Sequence, residues 1–350
     1  MKLKHYFLIL VVIGFFSCQD ETVMVDPPPF GSLGKGFFII NQGNFTLANA
    51  SLSFFNTDSA KMTNHIFYKV NNVPLGDVAQ SMVLWENYGF IVVNNSGIIY
   101  VIDKNDASYV GKITGLQSPR FMCFIHQGKA YVSDIQRPEI AVVDPISFNI
   151  TDKIYTGKSV ENMVFVNNKV FACNWSDYYT TKPNNTIQVI DPEVDRVIDS
   201  IVVVKEPNSM VVDSEGFLWV LCSGGYMNEE IPALLRINTT SHEIQKKFIF
   251  PDIAFSPNQL TVNLTGDTLY FINQDIYRLS IQDSQLPLLP LIESENRTFY
   301  ALAIDPSNNQ IVVSDAKNYV QDGYIYRFQS NGTLIDSIKS GVIPGQIVFN

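Results

Sequence analysis

Lys129-Ala130-Tyr131-Val132-Ser133-Asp134 and Lys169-Val170-Phe171-Ala172-Cys173-Asn174 are two copies of one pattern, an apolar run closed by a small polar residue. The same pattern stands at Phe37–Asn41 (FFIIN), Phe90–Asn94 (FIVVN), Trp219–Ser223 (WVLCS), Leu269–Asn273 (LYFIN) and Ile311–Asp315 (IVVSD). Four to six apolar residues bounded by turn formers read as buried strands. Ahead of each run lies another strand with Met, Leu or Ile at a fixed place: Met82, Met122, Met163, Met210, Leu260, Leu302 and Ile347. These anchors are separated by 40, 41, 47, 50, 42 and 45 residues. A third strand follows, as in Ile98–Asp103, Ile140–Asp144 and Ile187–Asp191, and a fourth, half polar, closes the unit, as in Arg196–Ile201.

An all-strand repeat of this length is one blade of a β-propeller. Before Met82 the chain offers only second, third and fourth strands (Phe37–Asn41, Ser51–Asn56, Lys61–Tyr68), and after Ser340 only a first strand, Gln346–Phe349. The expected fold is therefore all-β, a seven-bladed propeller over residues 34–350 with six whole blades and one split blade. The C-terminal strand pairs with the three N-terminal strands and closes the ring, which protects its open edges. Composition agrees: 24 Phe, 16 Tyr and 17% charged residues among 350 favour buried strands.

The amino end carries Lys2 and Lys4, an apolar run from Tyr6 to Phe16, and then Ser17-Cys18. Such a run suits a signal peptide and is too short to span a bilayer. Phe15-Phe16-Ser17-Cys18 resembles a bacterial lipoprotein box, which implies a signal peptide over 1–17 and lipidation of Cys18. Residues 18–33 then form an acidic, Pro-rich linker: Gln19-Asp20-Glu21 resembles the tag that sends Bacteroidetes lipoproteins to the cell surface, and Pro27-Pro28-Pro29 favours an extended spacer. The expectation is a lipid-anchored, surface-exposed protein of the outer membrane, touching the membrane through its anchor alone. A formal charge of −10 argues against nucleic acid. Cys123, Cys173 and Cys222 sit in apolar runs and are expected buried. Cys173 and Cys222 occupy equivalent places in adjacent repeats, so one bridge between them is open.

In a meander, the loops between second and third strands share a face with the connections into the next blade. From the polar end of the second strand to the end of the third, the separations are 9, 10, 17, 15, 7 and 14 residues in blades one to six and 15 in the split blade. Four long loops on one face mark it as the binding face. They supply Trp175, Tyr178, Tyr179, Asn184 and Asn185 in blade three, Tyr226, Met227 and Asn228 in blade four, Asn318, Tyr319 and Gln321 in blade six, and Gln42, Asn44 and Phe45 in the split blade. Gln80, Arg120, Glu161, Asn208, Asn258, Tyr300 and Gly345 open the first strands and are expected to rim the central channel. The strand ends Asn41, Asn94, Asp134, Asn174, Ser223, Asn273 and Asp315 either brace the following turns or face a ligand. From these groups the candidate ligand-binding residues are Gln42, Phe45, Gln80, Asn94, Arg120, Trp175, Tyr178, Tyr179, Asn208, Tyr226, Met227, Asn258, Asn273, Tyr300 and Tyr319, with Arg137 just past Asp134. Aromatics and carboxamides together suit a large, amide-bearing, mostly uncharged ligand.

Catalytic signals are weak. His5 lies in the leader, and His65, His126 and His242 are expected in an outer strand or on the opposite face, away from the long loops. No phosphate loop, nucleophile elbow or spaced metal-ligand cluster appears. No catalytic residue, metal or cofactor is expected.

KAYVSD and KVFACN, each followed by a strand of the I-x-V-I-D type, resemble the YVTN repeats of YncE-like propellers. Joined to a lipoprotein leader, the repeat resembles the BtuG-type cobalamin-binding lipoproteins of Bacteroidetes. That resemblance implies capture of a corrinoid and its transfer to a BtuB-like, TonB-dependent outer-membrane transporter, with no chemistry on the ligand. A protein- or glycan-binding surface module and, as a third choice, a propeller lactonase or lyase remain the alternatives. If Cys18 is the anchor, Cys18→Ser shifts the protein from the membrane fraction to the soluble one on cell fractionation; retention in the membrane fraction refutes lipidation at Cys18.

Overall fold

Second strands that are apolar on both faces require a sheet on either side, and the structure supplies one. The structure, a computed structural model, describes residues 31–350 except 177, 178, 180 and 181. The signal peptide (1–17), Cys18, the linker as far as residue 30, and Tyr178 lie outside the described residues. The strands form seven sheets, ordered as a seven-bladed propeller. Blade one is built from Ala79–Trp85, Tyr88–Val93, Ile98–Asp103 and Tyr109–Ile113, and blade two from Pro119–His126, Lys129–Asp134, Glu139–Asp144 and Asn149–Tyr155. Blades three, four and six repeat this antiparallel meander from Met163, Pro207 and Phe299.

The ring closes as the strand count requires. Gly36–Asn41, Ser51–Asn56 and Lys61–Thr63 form one sheet with the C-terminal strand Pro344–Phe349, in which Phe37 pairs with Phe349 and Ile39 with Ile347. The core is radial. Seven buried clusters fill the seven gaps between neighbouring blades. Alternation along one strand feeds two of them: Phe38 and Ile40 pack toward blade one, while Phe37 and Ile39 pack toward blade six.

Two expectations about outer strands are corrected. Blade five has three strands, Asn258–Val262, Thr268–Asn273 and Asp275–Ser280, so it is not whole. The segment after Ser280 contains Pro287 and Pro290, which lack N–H groups for a ladder. It returns along the blade with only a bridge between Ile276 and Ile292. In the split blade, the expected strand Lys61–Tyr68 stops at Thr63 and a short helix, Ile66–Asn71, follows. Ile66, Phe67 and Val70 turn to the core on one helical face. Asn71 holds the helix to blade one by donating to Ala107 O (2.9 Å) and accepting from Tyr109 N (2.7 Å).

That helix also moves a histidine. His65 is not in an outer strand; it takes the N-cap position of the helix at φ 57°, without a side-chain cap bond, and lines a surface pocket with Ala48–Leu52 at the end of the split blade's long loop. The expectation that every histidine stays clear of the loop-rich face is corrected to this extent, although His65 does not line the central cavity. Cys123, Cys173 and Cys222 are buried and free, so no bridge joins Cys173 to Cys222.

Phe38 is fully buried and meets Phe54 edge-on at 4.9 Å. Phe38→Ala lowers stability by about 3–5 kcal/mol, measured by urea unfolding; a loss under 1 kcal/mol would contradict close packing between the split blade and blade one.

Candidate functional site

Most of the polar residues that end the second strands have structural work to do. Asp134 accepts four backbone N–H bonds, from Gln117, Ser118, Gln136 and Arg137, at 2.8–3.2 Å. Asn41 donates to Ser51 and Ser53 Oγ and accepts from Ser340 Oγ and Gly341 N. Asp315 accepts from Thr298 N and Lys317 N and pairs with Lys317 Nζ at 2.8 Å. Asp134 and Asp315 thus tie their own turns to the connection that enters the first strand, and Asn41 ties the third strand of the split blade to the end of blade six. Asn94 reaches instead to the next blade, donating to Ser118 Oγ and Pro119 O. Among the described residues only Asp134 and Asp315 brace the turn that follows them. The turn-bracing expectation is corrected for the other strand ends, which bond neighbouring strands and connections or, at Asn273, make no side-chain hydrogen bond among the described residues; the candidates Asn94 and Asn273 do not line the central cavity.

Those braced connections deliver the first strands to the axis, where their inner ends are bulged. Register shifts fall at Ala79/Ser81, Pro119/Met122, Pro207/Ser209, Asn258/Thr261 and Phe299/Leu302, and between Ile40 and Asn41 opposite the last strand. Just before the strand, Val78, Glu206 and Ile343 adopt φ of 56°, 55° and 51°. Left-handed backbone is costly for β-branched Val and Ile, so the connections and bulges hold the rim in a strained shape. A bulge breaks strict alternation and turns two consecutive residues to one side. The cavity lining shows it: Arg120 with Phe121, Glu161 with Asn162, Asn208 with Ser209, Asn258 with Gln259, and Gly345 with Gln346.

The resulting cavity has a volume of about 700 Å³. All seven residues expected to open the first strands line it, together with Gln42, Trp175 and Tyr226 from the long loops. Its rim is stitched from blade to blade. Ser81 Oγ donates to Arg120 O (2.6 Å), Asn208 Nδ2 to Pro257 O (2.8 Å), Leu260 N to Ser209 Oγ (3.0 Å) and Met82 N to Gln346 Oε1 (2.6 Å).

Among the described residues its one cation is paired from within, which leaves the Glu206 carboxylate as the remaining charge. Arg120 binds Glu161 through Nε and Nη2 at 2.6–3.0 Å, and the two side chains are only 15% and 9% exposed. Burial works against the Arg120 charge, but the adjoining Glu161 carboxylate outweighs it and holds the guanidinium above its ordinary pKa. Burial likewise raises the Tyr300 hydroxyl, which donates to Gln42 Oε1 at 3.0 Å. Glu206 accepts from Ser223 Oγ and Tyr226 N, both at 2.9 Å, and so shapes the blade-four loop. Among the described residues no group of three or more His, Cys, Asp and Glu is placed to hold a metal ion.

Around the cavity the long loops raise apolar side chains into solvent: Phe45 is 67% exposed, Tyr226 89%, Met227 74% and Val320 70%. Tyr319 stands edge-on to Tyr300 at 5.7 Å, and its carbonyl accepts from Asn44 Nδ2 at 2.6 Å. Of the sequence candidates, Gln42, Gln80, Arg120, Trp175, Asn208, Tyr226, Asn258 and Tyr300 come together in the cavity. Phe45, Tyr179, Met227 and Tyr319 belong to the loops around it. Arg137 lies apart, bonded to Gln117 and Glu139. Sequence reasoning missed Asn162, Ser209, Gln259 and Gln346, because strict strand alternation sends the second residue of each bulged pair away from the channel, and it missed Glu206, which stands just before the strand and reaches the cavity from left-handed backbone.

Residues 35–350 match the family described as "Domain of unknown function (DUF5074)". Comparison with the curated proteins gives no match. Among solved structures, a quinonprotein alcohol dehydrogenase-like protein from Bacteroides thetaiotaomicron superposes with a TM-score of 0.70 at 14% identity, over 91% of this chain and 79% of that one. A functionally unknown protein from Desulfotomaculum acetoxidans gives 0.65 at 13%, over 90% and 99%. The dihydro-heme d1 dehydrogenase NirN in complex with DHE gives 0.60 at 8%, over 92% and 77%. At these identities the likeness is one of fold alone.

The Arg120–Glu161 pair carries its own test. Arg120→Met leaves Glu161 without its partner and costs about 3 kcal/mol, whereas Arg120→Met with Glu161→Met recovers most of the loss. Urea unfolding of the four proteins measures it, and simple additivity would show that the two side chains do not act as a pair.

Proposed function

The chain belongs to the DUF5074 family, and from its cavity we propose that it captures a large, mostly uncharged, amide-bearing ligand, a corrinoid of the vitamin B12 type. The observation that carries this reading is the make-up of the rim. Carboxamides from Gln42, Gln80, Asn162, Asn208, Asn258 and Gln346 stand around one cavity. Each can donate and accept, which suits a ligand whose own edge is set with amides. Trp175, Tyr226 and Tyr300 add flat apolar surface, and the Arg120–Glu161 pair spends its charge internally. A cavity of about 700 Å³ holds part of such a ligand, and the exposed loop side chains cover the remainder.

In this reading the protein performs no chemistry on its ligand. It is held at the outer surface of the outer membrane by lipid on Cys18 and passes the ligand to a TonB-dependent transporter. The exposed Phe45, Met227 and Val320 favour a second reading, a surface that binds a glycan or a protein. Titration of the purified mature protein with cyanocobalamin separates them: binding at micromolar ligand or below is expected. Trp175→Ala and Tyr226→Ala each weaken it by about 2 kcal/mol if these side chains are anchors. No heat and no spectral change at micromolar ligand would reject the corrinoid; full affinity in both variants would move the site elsewhere.

A further inference from the structure

Six of the seven blades send a side chain into the channel from the place where the first strand opens; in the split blade that place is Gly345. It is the bulged residue, because Pro344 pairs with Asn41 and Gln346 with Ile40. Its φ lies outside the left-handed region, so backbone conformation does not call for glycine there. Space does. A Cβ on Gly345 would lie 2.4 Å from Gln42 Nε2 and 2.7 Å from Gln42 Cδ and Cγ. The carboxamide of Gln42 therefore lies across the glycine and occupies the place that the other blades fill from the first strand.

Gln42 is fixed at several points. Its N–H donates to Ile343 O (2.8 Å), its C=O accepts from Ala79 N (3.2 Å), and its Oε1 accepts from the Tyr300 hydroxyl (3.0 Å). Tyr300 is itself held against Tyr319. The side-chain oxygen is thus engaged, while the NH2 group makes no hydrogen bond among the described residues and borders the cavity.

We propose that Gln42 is a preorganised hydrogen-bond donor for an acceptor oxygen of the ligand, positioned by Tyr300 and by the missing side chain at Gly345. The proposal rests on the capture reading and deepens it by naming one contact. Amide carbonyl oxygen is the matching group, because the Glu206 carboxylate in the same cavity disfavours an anion, while Arg120 is engaged by Glu161. Pre-fixing a donor lowers the cost of ordering it on binding.

Cyanocobalamin is titrated into wild type, Gln42→Ala, Gly345→Ala and the double variant, with thermal unfolding recorded for each. Either single substitution weakens binding about tenfold, the loss of one hydrogen bond. The double variant binds no more weakly than Gly345→Ala, because the glycine acts only by making room for Gln42. Thermal midpoints fall by a similar small amount in the two single variants, since each breaks the bond from the Tyr300 hydroxyl to Gln42, and each variant stays folded at the titration temperature. Tyr300→Phe weakens binding by a smaller factor and leaves the cavity otherwise intact. Wild-type affinity in the single variants, or losses that multiply in the double variant, overturns the proposal and leaves the capture reading standing. No binding by wild type overturns both. A crystal structure of Gly345→Ala with Gln42 in its present position also overturns the positioning role.

Discussion

The structure depends on the double-sided burial of each second strand. A strand such as Phe37-Phe38-Ile39-Ile40 is fully buried, so it is stable only with a sheet packed on each face. Each face feeds a separate cluster, and seven such clusters make a ring in which each blade needs both neighbours. At about 25 cal/mol per Å² of apolar surface removed from water, a missing neighbour would forfeit one whole face of a strand. Closure follows from this constraint. Pairing of Phe37 with Phe349 lets the split blade present the same two faces as the others.

Radial packing brings the inner ends of seven first strands to one axis, where the local rules change. Uniform strands would present backbone edges and every second side chain. Bulges and left-handed residues at Val78, Glu206 and Ile343 instead turn pairs of side chains inward. Polar groups at the rim are satisfied across the blade boundaries, as Ser81 does for Arg120 O and Ser209 for Leu260 N. The cavity is thus fixed by the same contacts that align the blades. The internal pairing of its Arg120 charge has a similar origin, since Arg120 of blade two and Glu161 of blade three stand at equivalent places in adjacent repeats.

The departures from seven-fold repetition are local. Blade five loses its outer strand where Pro287 and Pro290 remove ladder donors, and the split blade replaces most of its outer strand with a helix that buries Ile66 and Phe67. Both changes lie at the periphery, where an edge strand supports no further neighbour. Inner strands do not share this freedom. At Gly345 the repeat also breaks, and there the neighbouring strand end provides Gln42 in compensation.

By itself the sequence determined the number of blades, the closure and the face that carries the long loops. Each of these follows from apolar runs and turn residues, which are local and recur at a fixed spacing. The positions that open the first strands were legible for the same reason, and all seven reach the cavity. The partners at those positions were not. Whether Ser209, Gln259 or Gln346 faces the channel depends on a bulge set by pairing with a distant strand. Whether Asn94 is available to a ligand depends on Ser118 and Pro119 in the next blade. Only the tertiary structure decided these, because side-chain direction at a bulged strand and the filling of hydrogen-bond capacity are properties of contacts between blades.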